Sequence, residues 1–219
     1  GRDVFSQTVV SARVSMFVGL VAAFIGIVIG TTIGITSAFY GGWVDDTLMR
    51  FVDIVYALPF IPFIFILALF FGQGLFNITL AISLVLWRAS ARVIRSQTLS
   101  IKQRPYIEAA RAAGVGNLRL MYRHILPNVL PLAFLYGSFA IGAAILAEAG
   151  VAFLGMGDPN LRSWGKMINL AYSTGSIRRA PWWAIAPGAS ITLVVVSVFL
   201  ISREYEQVAN PDLEDTAQQ

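Results

Sequence analysis

Cysteine is absent and histidine occurs once, at His124. The first absence excludes disulfides, thiolate metal sites and a thiol nucleophile. The second excludes a metal site built from several imidazoles. Charge is scarce too: 13% of the 219 residues are Asp, Glu, Lys or Arg, against about 25% in a soluble globular domain. With 57% of its residues hydrophobic, the chain lacks the polar surface that water demands, and lipid is the solvent it fits. No phosphate loop of the G-x-x-x-x-G-K-[ST] kind occurs, so the chain is not expected to hydrolyse ATP itself. No catalytic residue, cofactor or metal site is expected. Gly1-Arg2-Asp3 carries neither a starting Met nor a signal peptide, and the start reads as truncated.

What is present is a set of apolar runs. A helix needs roughly 20 apolar residues to cross a bilayer. Val14 to Tyr40 is uncharged and holds a first span. Asp53 and Arg88 bracket 34 uncharged residues, too many for one helix. Gly72-Gln73-Gly74 with Asn77 breaks that run and predicts a hairpin of two spans. Asn128 to Met156 holds a fourth span and Ala180 to Ser202 a fifth, opened by Pro181 and the Trp182-Trp183 pair. Paired Trp suits the membrane–water interface. The expected fold is all-α, a polytopic bundle of five spans. Ala22, Gly26, Gly30, Gly34 and Ala38 recur every fourth residue, which puts small side chains along one face where a neighbouring backbone can come close. Pro59, Pro62 and Pro187 lose backbone hydrogen bonds that neighbours must replace, which implies a bundle rather than lone helices.

Eight of the sixteen Lys/Arg lie between Arg88 and Arg123, where Glu108 is the one acid. That excess predicts a cytoplasmic loop. Alternating the spans then puts the 72–77 turn and the 157–180 loop outside and the C-terminal tail inside. Arg162, Lys166, Arg178 and Arg179 run against this assignment, but the excess at 88–124 is larger. Within the basic loop, residues 108–127 read EAARAAGVGNLRLMYRHILP. Pro105 is suited to open a helix, and Glu108 falls in its first turn, where the helix dipole favours a carboxylate. Four alanines leave a thin surface able to enter a cleft, and Gly114 can end the helix in a left-handed cap. Asn117 is expected to cap a second helix, Leu118 to Leu126, which Pro127 ends. A basic amphipathic loop lying on anionic headgroups is the alternative.

The order of these residues resembles the cytoplasmic EAA motif of ABC importer permeases: Glu108-Ala109-Ala110, Gly114, Leu126-Pro127. His124 stands where that pattern often has Ile. More of the chain is similar to one branch, the dipeptide/oligopeptide/nickel permeases. The matching stretches are Gly1 to Ser6, Gly41-Gly42-Trp43-Val44-Asp45, Arg123 to Asn128, Phe153-Leu154-Gly155-Met156-Gly157, Ser163-Trp164-Gly165 and Asn210-Pro211-Asp212-Leu213. The resemblance implies a single permease domain over 1–219, truncated at its N-terminus, with six spans in a full subunit and a coupling loop at 95–128. It implies a multi-pass protein of the cell inner membrane with a cytoplasmic C-terminus. The implied partners are a second permease subunit, two cytoplasmic ABC ATPases and an extracytoplasmic solute-binding protein, with no nucleic acid. The implied role is ATP-driven uptake of peptides, with nickel or another small solute as the alternative cargo. Glu108, Ala109, Ala110, Gly114, Leu126 and Pro127 would form the ATPase-docking site.

Glu148 is the one acid well inside a span, and an intramembrane ionisable group marks a candidate translocation path or outer gate. Its bland alternative is a hydrogen bond to a neighbouring span or to the 157–180 loop. Arg88 and Arg92, one turn apart, are expected to snorkel to headgroups. Asp45, Asp46, Asp53 and Arg50 are expected to form a short polar loop that makes helix-end contacts or pairs with the docking loop, and Gly155, Gly157, Pro159 and Trp164 an outer lid or contact loop. An ion-coupled secondary transporter would want matched broken helices and paired intramembrane charges. A membrane scaffold would need only the loop.

Overall fold

The computed structural model describes residues 3–209, all of whose regular elements are helical. The matching stretches at Gly1-Arg2 and at Asn210 to Leu213 lie outside the described residues, as does the end of the acidic tail.

Helix α1 (Val4–Tyr40) is 37 residues long, about 55 Å at 1.5 Å per residue. Asp3 caps it, accepting from the Phe5 N–H at 3.0 Å and from the Ser6 hydroxyl. The Ser6 bond above all holds this exposed carboxyl below its ordinary range. The helix begins ten residues before the uncharged run, because Asp3 offers a cap and Arg13 does not break a helix. Gly41, at φ +67°, ends it.

Helices α2 (Gly42–Ala57) and α3 (Phe60–Phe71) return along the bundle. They meet at 93°. The cause is Pro59: the residue before a proline is pushed out of the α region, and Leu58 is extended at φ −81°, ψ 130°. Asp45, Asp46 and Asp53 therefore lie on a helix, not in the short polar loop their composition suggests. Twelve residues remain in α3, about 18 Å, short of a hydrocarbon core of about 30 Å. The turn at 72–74 falls where expected and leads into α4 (Leu75–Lys102).

After α5 (Pro105–Ala112) the chain runs through α6 (Asn117–Arg119), a π-helical turn (Leu120–Ile125) and α7 (Leu126–Phe153) as one helix. Then come α8 (Trp164–Ser173), a 3₁₀ turn (Ser176–Arg178) and α9 (Trp182–Ala209). Among the described residues, four helices are long and apolar enough to span alone, and up to five spans result if the bent α2–α3 pair is one.

The small-residue stripe meets α4. A Cβ at Gly30 would sit 2.0 Å from Ser90 Oγ and 2.5 Å from the Trp87 carbonyl oxygen. One at Gly34 would lie 2.6 Å from the Ala91 oxygen. Hydrogen there is what lets the backbones touch. Of the four buried clusters among the described residues, two are the largest and lie in opposite halves of the bundle. Val18, Ala22, Ile64, Ile82, Ala144 and Ala147 fill one half. Ile35, Phe39, Ile94, Ile101, Ile107, Leu120, Ile125 and Val129 fill the other, beneath α5.

Candidate functional site

Helix α5 starts at Pro105 and ends in a left-handed glycine, as its sequence predicts. Gly114 has φ +80°; its N–H donates to the Arg111 oxygen at 3.0 Å and that of Val115 to the Ala110 oxygen at 3.1 Å. These two bonds form a Schellman cap. Ile107 faces inward and is fully buried, and Ala110 packs partly against the same core. Glu108, Ala109, Ala112, Ala113 and Gly114 are exposed. The face they form is nearly free of bulk and carries one carboxylate. Beside it stand Tyr106, 41% exposed, and Leu118, 66% exposed. Neither was singled out in the sequence; both signal themselves as large side chains out of phase with the buried Ile107 and Leu120.

The second helix differs from its expectation in two ways. Gly116, not Asn117, is the N-cap, with no side-chain bond. Pro127 does not end it. The Leu126 N–H donates to the Met121 oxygen, five residues back, and the widened turn carries the chain into α7. A proline ring clashes with the carbonyl four residues before it, and a π turn relieves that clash by shifting the register. Pro127 and Leu126 thus sit in the first turn of α7, Pro127 exposed and Leu126 packed against the core under α5. Residues 95–102 belong to α4, so the segment outside the long helices is shorter than 95–128.

The basic residues of α4 make contacts within the bundle. Arg88 Nη1 donates to the Val55 oxygen at 2.9 Å, an orphan carbonyl at the end of α2, and its guanidinium lies 4.8 Å from the Tyr56 ring centre. Arg92 pairs with Asp53 at 2.6 Å. Arg95 grips both oxygens of Asp45, which also accepts from the Ser37 hydroxyl. Lys102 Nζ donates to the oxygens of Ala38 and Phe39 at 3.1 and 2.7 Å, the carbonyl end of α1, where the helix dipole favours a cation. These partners are distant in sequence, and spacing along α4 alone could not reveal them.

Glu148 lies far from α5, near the opposite end of α7. It is 3% exposed. Ser15 Oγ donates to its Oε2 at 3.0 Å and accepts from the Trp164 N–H at 3.2 Å. The Trp164 indole donates to the Thr8 oxygen at 3.0 Å, and Trp164 is buried against α1. The cavity beside Glu148 holds about 10 Å³, the room of about one water. At the same end the Leu75 N–H donates to Asp158 Oδ2 at 3.2 Å, tying the hairpin turn to the 154–163 loop. The start of α1, the 72–74 turn and the 154–163 loop share one end of the bundle; α5 stands at the other.

The chain resembles known proteins along nearly its whole length. The dipeptide transport system permease protein DppC of Alkalihalophilus pseudofirmus is 36% identical, over 97% of this chain and 70% of that one. The glutathione transport system permease protein GsiD of Pectobacterium atrosepticum is 35% identical, with the same coverage. The oligopeptide transport system permease protein OppC of Haemophilus influenzae is 37% identical over 89% of this chain and 62% of that one. In fold, a chain of the MetNI methionine ABC transporter, solved facing inward, matches with a TM-score of 0.74 at 19% identity, covering 94% of this chain and 95% of that one. Residues 26–207 match the model of a membrane transport family. With the helical bundle and the α5 site, this shows that the chain belongs to the family of binding-protein-dependent transport system inner membrane components.

Proposed function

We propose that this chain is the permease subunit of an ATP-driven importer that carries peptides inward, and that α5 is where a separate ATPase grips it. The supporting observation is α5 itself: one buried anchor, Ile107, under an exposed surface of alanines, Gly114 and Glu108. Small side chains let a helix enter a protein cleft, and the anchor passes force into the core shared with α1, α4 and α7. Peptide as cargo rests on the names of the relatives. On this reading α5 and the C-terminus are cytoplasmic, ATP hydrolysis is the work of the partner ATPases, and a second permease and a solute-binding protein complete the importer. ATP binding closes the ATPase pair and shifts the bundle between two states as rigid bodies. Glu148 acts as a latch on the outer side, joining α1 and α7 to the 154–163 loop. Its burial and small cavity favour that over a place on the solute path.

The test is transport by the whole complex in proteoliposomes. Glu108→Arg and Gly114→Asp are each expected to abolish peptide uptake while the permease still folds. Gly114→Asp strains a left-handed position, and Glu108→Arg reverses the one carboxylate on the face. Wild-type uptake and wild-type ATPase retention in both variants would sink the docking role.

A further inference from the structure

The proline at position 127 sits where the sequence predicts a helix end, yet the helix runs on from Asn117 to Phe153. The cost shows in its hydrogen bonding. The π turn at Leu120–Ile125 precedes Pro127 directly, and Pro131 lies inside α7 one turn further on. Neither proline has an N–H to give, so the backbone ladder is interrupted twice on one face. Within the π turn, the His124 oxygen accepts from Asn128 Nδ2 at 2.7 Å, a side chain serving a backbone group. At 3.6 residues per turn, Pro127 and Pro131 fall opposite Ile125 and Val129, both fully buried. The weakened face therefore looks outward, and the packed face provides a fulcrum.

The surroundings leave room on one side. A cleft of about 340 Å³ separates this stretch from α1, walled by Tyr122, Leu126 and Leu130 on one helix and by Val28, Thr31 and Thr32 on the other. The Thr31 hydroxyl is buried without a hydrogen-bond partner. Beyond the prolines the same helix is held fast: Ile145 is buried against Gly19, Gly142 meets Val195 of α9, and Glu148 bonds Ser15.

We infer that Pro127 and Pro131 are positioning residues for transport: with the π turn they make a joint through which the α5 end swings against α1 while the span beyond Gly142 stays fixed. The inference rests on α5 being the ATPase dock. π turns are rare and occur often at functional sites, and prolines account for most sharp bends in helices. The acyl chains that fill an apolar cleft in a membrane yield to such a swing without exposing a polar group.

The chain has no cysteine, so spin labels can be placed at will. Leu118→Cys and Leu146→Cys are both exposed, one on each side of the joint. In the complete importer in nanodiscs, their separation is measured by pulsed electron resonance without nucleotide and with ATP and vanadate. The wild-type distance should shift, and the Pro127→Ala/Pro131→Ala double variant should abolish the shift. In that variant, peptide carried per ATP hydrolysed should fall about tenfold. Its thermal midpoint should hold or rise, because two hydrogen bonds are restored, an outcome that a purely structural role of the prolines would not give. Thr32→Phe, which fills the cleft and leaves both prolines in place, should also shrink the shift. It decides the matter if the double variant does not assemble. A wild-type-sized shift in either variant overturns the joint, as does a wild-type distance that never changes. Failure of the docking reading shows elsewhere, as ATPase retention and uptake that ignore Glu108→Arg.

Discussion

Two helices of this chain are 37 residues long and built on opposite plans. Helix α1 has no proline, and its glycines let it lie directly on the backbone of α4. Its carbonyl end is clamped by Lys102. The 117–153 helix carries two prolines and a π turn and faces an open cleft at its α5 end. Equal length and similar greasiness hide this contrast. One helix is a strut, and the other carries the proposed joint between the proposed dock and the rest of the bundle.

The comparison breaks most sharply at Gly30. Gly30→Val forces α1 off α4, since even a Cβ there meets Ser90 Oγ at 2.0 Å. Overpacking against backbone should cost about 3 kcal/mol or more, read as a lower thermal midpoint in detergent. An unchanged midpoint would mean the two helices part easily and α1 is no strut.

The second place to press is the bond between the two long helices. Glu148→Ala leaves Ser15 and the Trp164 N–H in altered company and should cost about 1–3 kcal/mol. Glu148→Gln keeps an acceptor and should recover most of that. Limited proteolysis of the 154–163 loop is the second readout: faster cutting in the alanine variant alone is the result that fits a latch, and equal cutting in all three proteins rejects it.

Smaller effects separate the fasteners on α4. The Arg95–Asp45 pair has side chains 31% and 14% exposed, and the Arg92–Asp53 pair 51% and 65%. Arg95→Ala should therefore cost about 1–3 kcal/mol, leaving a half-buried carboxylate short of partners. Arg92→Ala should cost under about 1 kcal/mol. Equal costs in chemical denaturation would show that burial does not rank these pairs. The mildest change is Gly137→Ala on the jointed helix. Its new Cβ would be 3.7 Å from Ile27 Cγ1, ordinary contact, and the loss of chain freedom in the unfolded state should stabilise by about 0.4–1 kcal/mol. A destabilised variant would place a second tight contact where none is visible.

Much of the architecture was legible because its causes are local. Apolar runs set the spans, Gly72 and Gly74 set the hairpin turn, and Pro105 and Gly114 bound α5 as their own backbone preferences require. The four-residue stripe on α1 announced a close approach but not its partner. Other features escaped because they depend on what lies across space. The α2–α3 bend needs Pro59 and also Arg88, thirty residues away, to receive the freed carbonyls. Pro127 reads as a helix end until the core under α5 holds Leu120, Ile125 and Val129 in one continuous run.

By itself, then, the order of residues determined that this protein is a bundle of apolar helices with one basic segment between them, because solvent preference and backbone stiffness act residue by residue. Only the packed bundle decided which arginines are fasteners, that Glu148 is tied to α1, and that the long helix runs through a π turn and on past Pro127. Those outcomes turn on which groups meet once the helices are brought together, and a carboxylate or a proline carries no mark of the neighbour that will hold it.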